Sequence, residues 1–193
     1  MIAQTEKKIY TAEEYLDLET ASGIRSEYRS GEIIPMTGGA PNHNDIAGNL
    51  YILLKLALKG KNHRTFYADQ RLWIPSVSLY TYPDVMVVPK PLELQAERKD
   101  TVTNPCFVAE VLSKSTQNYD RSEKFAAYRA IPTFKEYFLI DQYRIHVEHY
   151  VKTAVNQWIF SEYDDPNTRL SFSVFEFQIQ IADLYDNIDF TDS

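Results

Sequence analysis

The stretch from Pro105 to Lys124, PCFVAEVLSKSTQNYDRSEK, limits what this chain can fold into more than any other. Cys106-Phe107-Val108-Ala109 is an apolar run, Glu110 interrupts it, and Val111-Leu112 closes it before the polar Ser113-Lys114-Ser115-Thr116. A run this short and apolar, bounded by Pro105 and by hydroxyl residues, reads as a buried strand. A helix is expected from about Tyr119 to Ala130, because Pro132 disfavours helix at the residue before it. FKEYFLID, from Phe134 to Asp141, reads as a further apolar strand. Strand, helix and strand make a βαβ unit, whose crossover is expected to be right-handed.

Glu110 is the anomaly in that unit. A carboxylate inside an apolar strand is costly unless it is paired, hydrogen-bonded or holding a metal. Some twenty residues earlier Tyr82-Pro83-Asp84-Val85-Met86-Val87-Val88-Pro89 repeats the design, with an acid opening an otherwise apolar strand. By strand alternation Asp84 shares a face with Met86 and Val88, and Glu110 with Val108 and Leu112. If the two strands are neighbours, their carboxylates converge as part of an oxygen shell, open to water and a substrate phosphate. That is a common way to hold Mg²⁺ in phosphoryl-transfer enzymes. Lys124, on the crossover helix beside Phe125, has a stem long enough to carry its ammonium toward the strand ends. Glu27 is a third candidate acid, and Asp69 or Gln70 could line the site from another strand.

The rest of the chain supplies the frame. Thr11 and Glu14 form a capping-box pattern ahead of a helix from about Ala12 to Glu19. Ser30-Gly31 marks a hairpin between the segments around Glu27 and Ile33. Ile46, Leu50, Leu53, Leu54, Ala57 and Leu58 recur at helical spacing, so a helix is expected over about 43–59, capped within Asn42 to Asp45. Strands are expected over 64–68, 70–74, 83–88 and 105–112, with a charged connector over 89–100. Alternating segments near 145–151, 158–163, 170–174 and 177–181 predict a β-rich C-terminal part. The fold class is therefore α/β or α+β, helices on a mixed sheet, in one domain spanning 1–193.

Composition narrows the setting. The hydrophobic share of 44% is enough for a real core, and a single cysteine, Cys106, allows no internal disulfide and fits a reducing cytoplasm. No apolar run reaches the roughly 18–20 residues of a membrane span, and MIAQTEKKIY lacks a signal-peptide core. The formal net charge of −7 argues against a broad nucleic-acid-binding surface but not against one cationic cleft.

Taken together, Tyr82-Pro83-Asp84-Val85, Ala109-Glu110-Val111-Leu112-Ser113-x-Ser115-Thr116, Asp120-x-x-x-Lys124 and Glu136-Tyr137-x-x-x-Asp141 resemble the bacterial Uma-two family. Its members are restriction-endonuclease-like proteins of the PD-(D/E)XK nuclease superfamily. The resemblance covers the chain from the Thr11 helix to about Asp141, and the β-rich tail weakly. It implies a restriction-endonuclease-like mixed sheet, with Asp84 and Glu110 as metal-binding acids and Glu27 as the acid of the early element. It also implies a Mg²⁺- or Mn²⁺-dependent endonuclease acting on DNA. The superfamily usually places its lysine two residues after the second acid, where this chain has Leu112; the lysine of this family comes from the following helix, which matches Lys124. The alternative is a degenerate nuclease fold that binds nucleic acid or a partner protein without cutting. A homodimer is expected from the need to cut two strands. His43 is read as a cap or surface histidine rather than a phosphate contact. His146 and His149, three apart, do not share a strand face, which argues against a metal pair. The 14 tyrosines and 10 phenylalanines are read as core or interface rather than base-stacking surfaces.

Overall fold

The computed structural model describes residues 8–191. Most of the N-terminal stretch read as lacking a signal core, and the last two residues of the expected single domain, lie outside that range. Helix α1 (Ala12–Ser22) starts on the capping box: Thr11 accepts from the Glu14 N–H, and Glu14 accepts from the Thr11 N–H. It runs three residues beyond expectation because Gly23, at φ 65°, is the first residue that can turn it left-handed. Strands β1 (Ser26–Arg29) and β2 (Glu32–Pro35) form the expected hairpin, with Ser30 and Gly31 both at positive φ. Helix α2 (Pro41–Ala57) begins two residues before expectation. Pro41 takes the first helical position, where its missing N–H costs nothing, and Ala40 provides no side-chain cap.

Strands β3 (His63–Tyr67), β4 (Arg71–Ile74), β5 (Leu79–Thr81), β6 (Val85–Pro89), β7 (Thr101–Val102) and β8 (Phe107–Leu112) follow. The crossover helix is built of α3 (Gln117–Tyr119), a π-helical turn (Asp120–Lys124) and α4 (Phe125–Arg129). Strands β9 (Glu136–Asp141), β10 (Val147–Ala154) and β11 (Gln157–Tyr163) complete the main sheet. A ribbon of β12 (Arg169–Ser171) and β13 (Gln178–Gln180) leads into α5 (Ile181–Leu184).

The main sheet has six strands in the order β11-β10-β9-β8-β6-β3; a second has five, in the order β2-β1-β5-β4-β7. Strands β8 and β9 are parallel and joined by the crossover helix, while β6 and β8 are antiparallel neighbours. The fold is the expected mixed α+β, with helices flanking the sheets and a β-rich C-terminal part. Apart from Glu110, strand β8 is apolar because both its faces are covered. Phe107, Ala109 and Val111 pack with Ile46, Leu50 and Leu54 of α2. Val108 and Leu112 pack with Phe125 and Tyr128 of the crossover helix and with Leu72, Ile74 and Leu79 of the second sheet. Much of the aromatic excess is core, as in the Phe107, Phe138 and Phe172 ring contacts and the Phe125–Tyr137 stack. Cys106 is buried, its thiol pushed up to about 12 by that burial, so it packs rather than reacts. Among the described residues, no helix is long and apolar enough to cross a membrane.

Candidate active site

The pairing of β6 with β8 brings the two anomalous acids together. Val85 faces Ala109 in the antiparallel register, so one further step sets Asp84 opposite Glu110. Asp84 lies just ahead of β6 rather than within it, and its polar groups finish the ladder in a different way. Its backbone N–H donates to Glu110 Oε2 at 3.3 Å, and its Oδ2 accepts from the Val111 N–H at 2.8 Å. A strand end whose last hydrogen bonds go to carboxylates holds both side chains in place.

Both acids line a cavity of about 280 Å³ between the two sheets, and Glu27, Lys124, Asp120 and His43 line it with them. Glu27 reaches it from β1, where it accepts from Thr81 Oγ1 and from the Arg29 guanidinium. Lys124 and Asp120 reach it from the π-helical turn, and both are buried. Such turns widen a helix locally and recur at functional sites. The Lys124 Nζ stands 2.9 Å from Glu110 Oε1 and 3.6 Å from both Glu27 Oε1 and Asp120 Oδ1. Tyr128, one turn further along, donates to the same Glu110 oxygen at 2.5 Å.

These contacts set the charges. Burial pushes the Glu110 carboxyl up, and the Asp84 and Asp120 charges add to it against Lys124 and the Tyr128 hydroxyl; the result is about 8. Burial works against Asp84 too, but the His43 hydrogen bond and charge, Lys124 and the Val111 N–H outweigh it, leaving Asp84 below the usual carboxylate range. The two carboxyls are thus driven apart, one holding its charge and one reluctant to charge. Burial opposes the Lys124 charge, yet Glu110, Glu27 and Asp120 together keep it protonated well beyond an ordinary lysine. The same lysine, with Thr81 and Arg29, overcomes burial to hold Glu27 below its ordinary value.

All four acids and bases singled out in the sequence, Asp84, Glu110, Lys124 and Glu27, therefore line one cavity. Asp69 and Gln70 do not. Asp69 is exposed and paired with Arg25 at 2.6 Å, while Gln70 is spent on the carbonyls of Arg71 and Asp100. His43 is neither a cap nor a surface residue; its Nε2 lies 3.2 Å from Asp84 Oδ2. Tyr128 is the other participant that was missed. Its signal was present, since Asp120, Lys124 and Tyr128 are spaced by four and lie on one helix face. His146 and His149 serve separate acids, Asp164 and Glu136.

Asp84 and Glu110 offer hard oxygen donors of the kind Mg²⁺ and Mn²⁺ prefer. Among the described residues no three His, Cys, Asp or Glu side chains are arranged to enclose a metal. A divalent ion here would keep water or phosphate oxygens on its remaining positions, as Mg²⁺ does readily.

Comparison with known proteins places the chain among relatives of matching length. Residues 12–183 match the model of the Uma2 family, described as "Putative restriction endonuclease". The uncharacterized protein sll1609 of Synechocystis sp. (strain ATCC 27184 / PCC 6803 / Kazusa) is 42% identical over 173 residues, covering 90% of this chain and 98% of its own. A second protein of that organism, slr1290, is 35% identical over 153 residues, 78% of each chain. The crystal structure of a "putative nuclease belonging to DUF820" from Anabaena variabilis superposes with a TM-score of 0.73 at 22% identity, covering 92% of this chain and 98% of that one. At that identity the likeness is one of fold.

Proposed function

The chain belongs to the Uma2 family, and on that premise we propose that it is a divalent-metal-dependent endonuclease hydrolysing phosphodiester bonds in DNA. The observation that carries the reading is the meeting of Asp84, Glu110 and Lys124 in one cavity, from three separate segments, with Lys124 Nζ 2.9 Å from Glu110. Asp84 and Glu110 are the residues that would hold Mg²⁺ or Mn²⁺. The bound ion would polarise the scissile phosphate and make its water more acidic. The remaining work falls to the chain itself. Lys124 is a buried ammonium whose charge three carboxylates maintain, so it meets the negative charge that develops on the phosphoryl oxygens as water attacks. Glu27 and Asp120 each stand 3.6 Å from that ammonium and help to hold it, and Tyr128 hydrogen-bonds the Glu110 carboxyl. Cleavage of both strands would be met by two copies related by a two-fold axis, as cyclic dimers are.

The test is nicking and linearisation of a supercoiled plasmid with Mg²⁺ or Mn²⁺. The unaltered protein is expected to cut, and Asp84→Ala, Glu110→Ala and Lys124→Met to lose at least 10²-fold in rate, the scale of removing one charge-stabilising group. Binding of the plasmid without cleavage under every divalent metal would instead support the non-cutting alternative.

A further inference from the structure

His43 has two features that the proposed chemistry leaves unexplained. Its Nε2 lies 3.2 Å from Asp84 Oδ2, the same oxygen that accepts the Val111 N–H at 2.8 Å. Two donors from different elements, one on α2 and one on β8, therefore converge on one oxygen. Among the described residues, Asp84 Oδ1 receives no such bond. The other side of the ring is as constrained. Nδ1 is buried with no hydrogen-bond partner. It sits so close to the loop before α2 that a Cβ on Gly39 would come within 2.8 Å of it and 3.2 Å of Cγ. A glycine that lets a loop press on an imidazole, against the unmet hydrogen bond of a buried nitrogen, fixes where the opposite nitrogen points.

We infer that His43 is a positioning residue for Asp84: its Nε2–H, with the Val111 N–H, pins Oδ2 and turns Oδ1 toward the metal. This rests on the reading of Asp84 and Glu110 as metal ligands. Groups that hydrogen-bond a ligating side chain fix its orientation, and losing one typically costs about 10- to 100-fold in metal affinity. Such a histidine does not touch the substrate. Its loss therefore weakens metal binding first, and turnover at saturating metal changes less.

The experiment is calorimetric titration of the full chain with Mn²⁺ alone, without nucleic acid. The proteins compared are the unaltered chain and the variants His43→Ala, His43→Gln, Gly39→Ala and Asp84→Asn. His43→Ala is expected to bind Mn²⁺ about 10- to 100-fold more weakly. His43→Gln, which keeps an N–H at the end of its side chain, should recover most of that loss. Gly39→Ala, which displaces the ring without removing it, should weaken binding in the same direction and serves if His43→Ala does not fold. Loss of Mn²⁺ binding in Asp84→Asn with undiminished binding in His43→Ala or Gly39→Ala overturns the positioning role and leaves the metal reading standing. So does a His43→Gln protein as weak as His43→Ala. Failure of the unaltered chain to bind Mn²⁺ overturns the metal reading itself and this inference with it.

Discussion

Glu110 sits where a proton and an ammonium meet one carboxyl, for which, on the proposed function, a divalent ion would also compete. Its pKa, raised from 4.5 to about 8, has a definite consequence for stability. A carboxyl that holds its proton more tightly in the fold contributes stability below its unfolded pKa. That contribution is lost as pH rises from about 4.5 through about 8. A divalent ion needs the deprotonated form, so its binding must release that proton. The rise in melting temperature on adding Mn²⁺ should therefore be larger at pH 8.5 than at pH 6, and Glu110→Gln should abolish both the rise and its pH dependence. Tyr128→Phe removes a hydroxyl donor to this carboxyl, which holds its proton at neutral pH, and should cost about 0.5–1.5 kcal/mol in urea unfolding there. Asp84 and Glu110 were legible in the sequence because an acid among apolar neighbours is an anomaly that demands a partner. His43 was not legible, because nothing in Asn42-His43-Asn44-Asp45 tells a cap from a residue facing Asp84, some forty residues further along the sequence.

At the scale of elements, the π-helical turn is what delivers Lys124. No pattern in Asp120-Arg121-Ser122-Glu123-Lys124 distinguishes it from ordinary helix, so the crossover helix could be read but its widened turn could not. Strands β5 and β7, three and two residues long, were equally hidden, since neither is long enough to show an alternation. The long helix, the hairpin and the βαβ unit were legible from hydrophobic period and turn signals. The cap of the long helix, expected within Asn42 to Asp45, is instead Ala40 with no side-chain hydrogen bond. The second sheet is tied to α1 by a buried contact that no local pattern announces, Arg71 with Glu19 and the Tyr82 hydroxyl. Arg71→Met leaves Glu19 buried without its cation and should destabilise the fold by about 3–5 kcal/mol, read from the urea midpoint. Thr11→Ala, which removes only the α1 cap, should cost about 1 kcal/mol in the same assay.

For the whole molecule, a net charge of −7 and a cavity lined by four acids leave little room for binding DNA by bulk attraction. On the proposed function, a bound divalent metal would have a second use, lowering the negative charge that a phosphate would otherwise meet. Plasmid binding should accordingly be weak in EDTA and strengthen with Mg²⁺ or Ca²⁺, measured by gel shift with Glu110→Gln as the control. Two sheets, a crossover helix and the start of α2 converge on a single cavity, and it is the proximity of Asp84 to Glu110 that gives this convergence its chemistry. The most direct test is anomalous diffraction from crystals grown or soaked with Mn²⁺. One peak is predicted in the cavity, about 2.1 Å from an oxygen of Asp84 and an oxygen of Glu110, with Lys124 still beside them. A cavity without a peak at full Mn²⁺ saturation, or a peak held by other residues, would contradict the account.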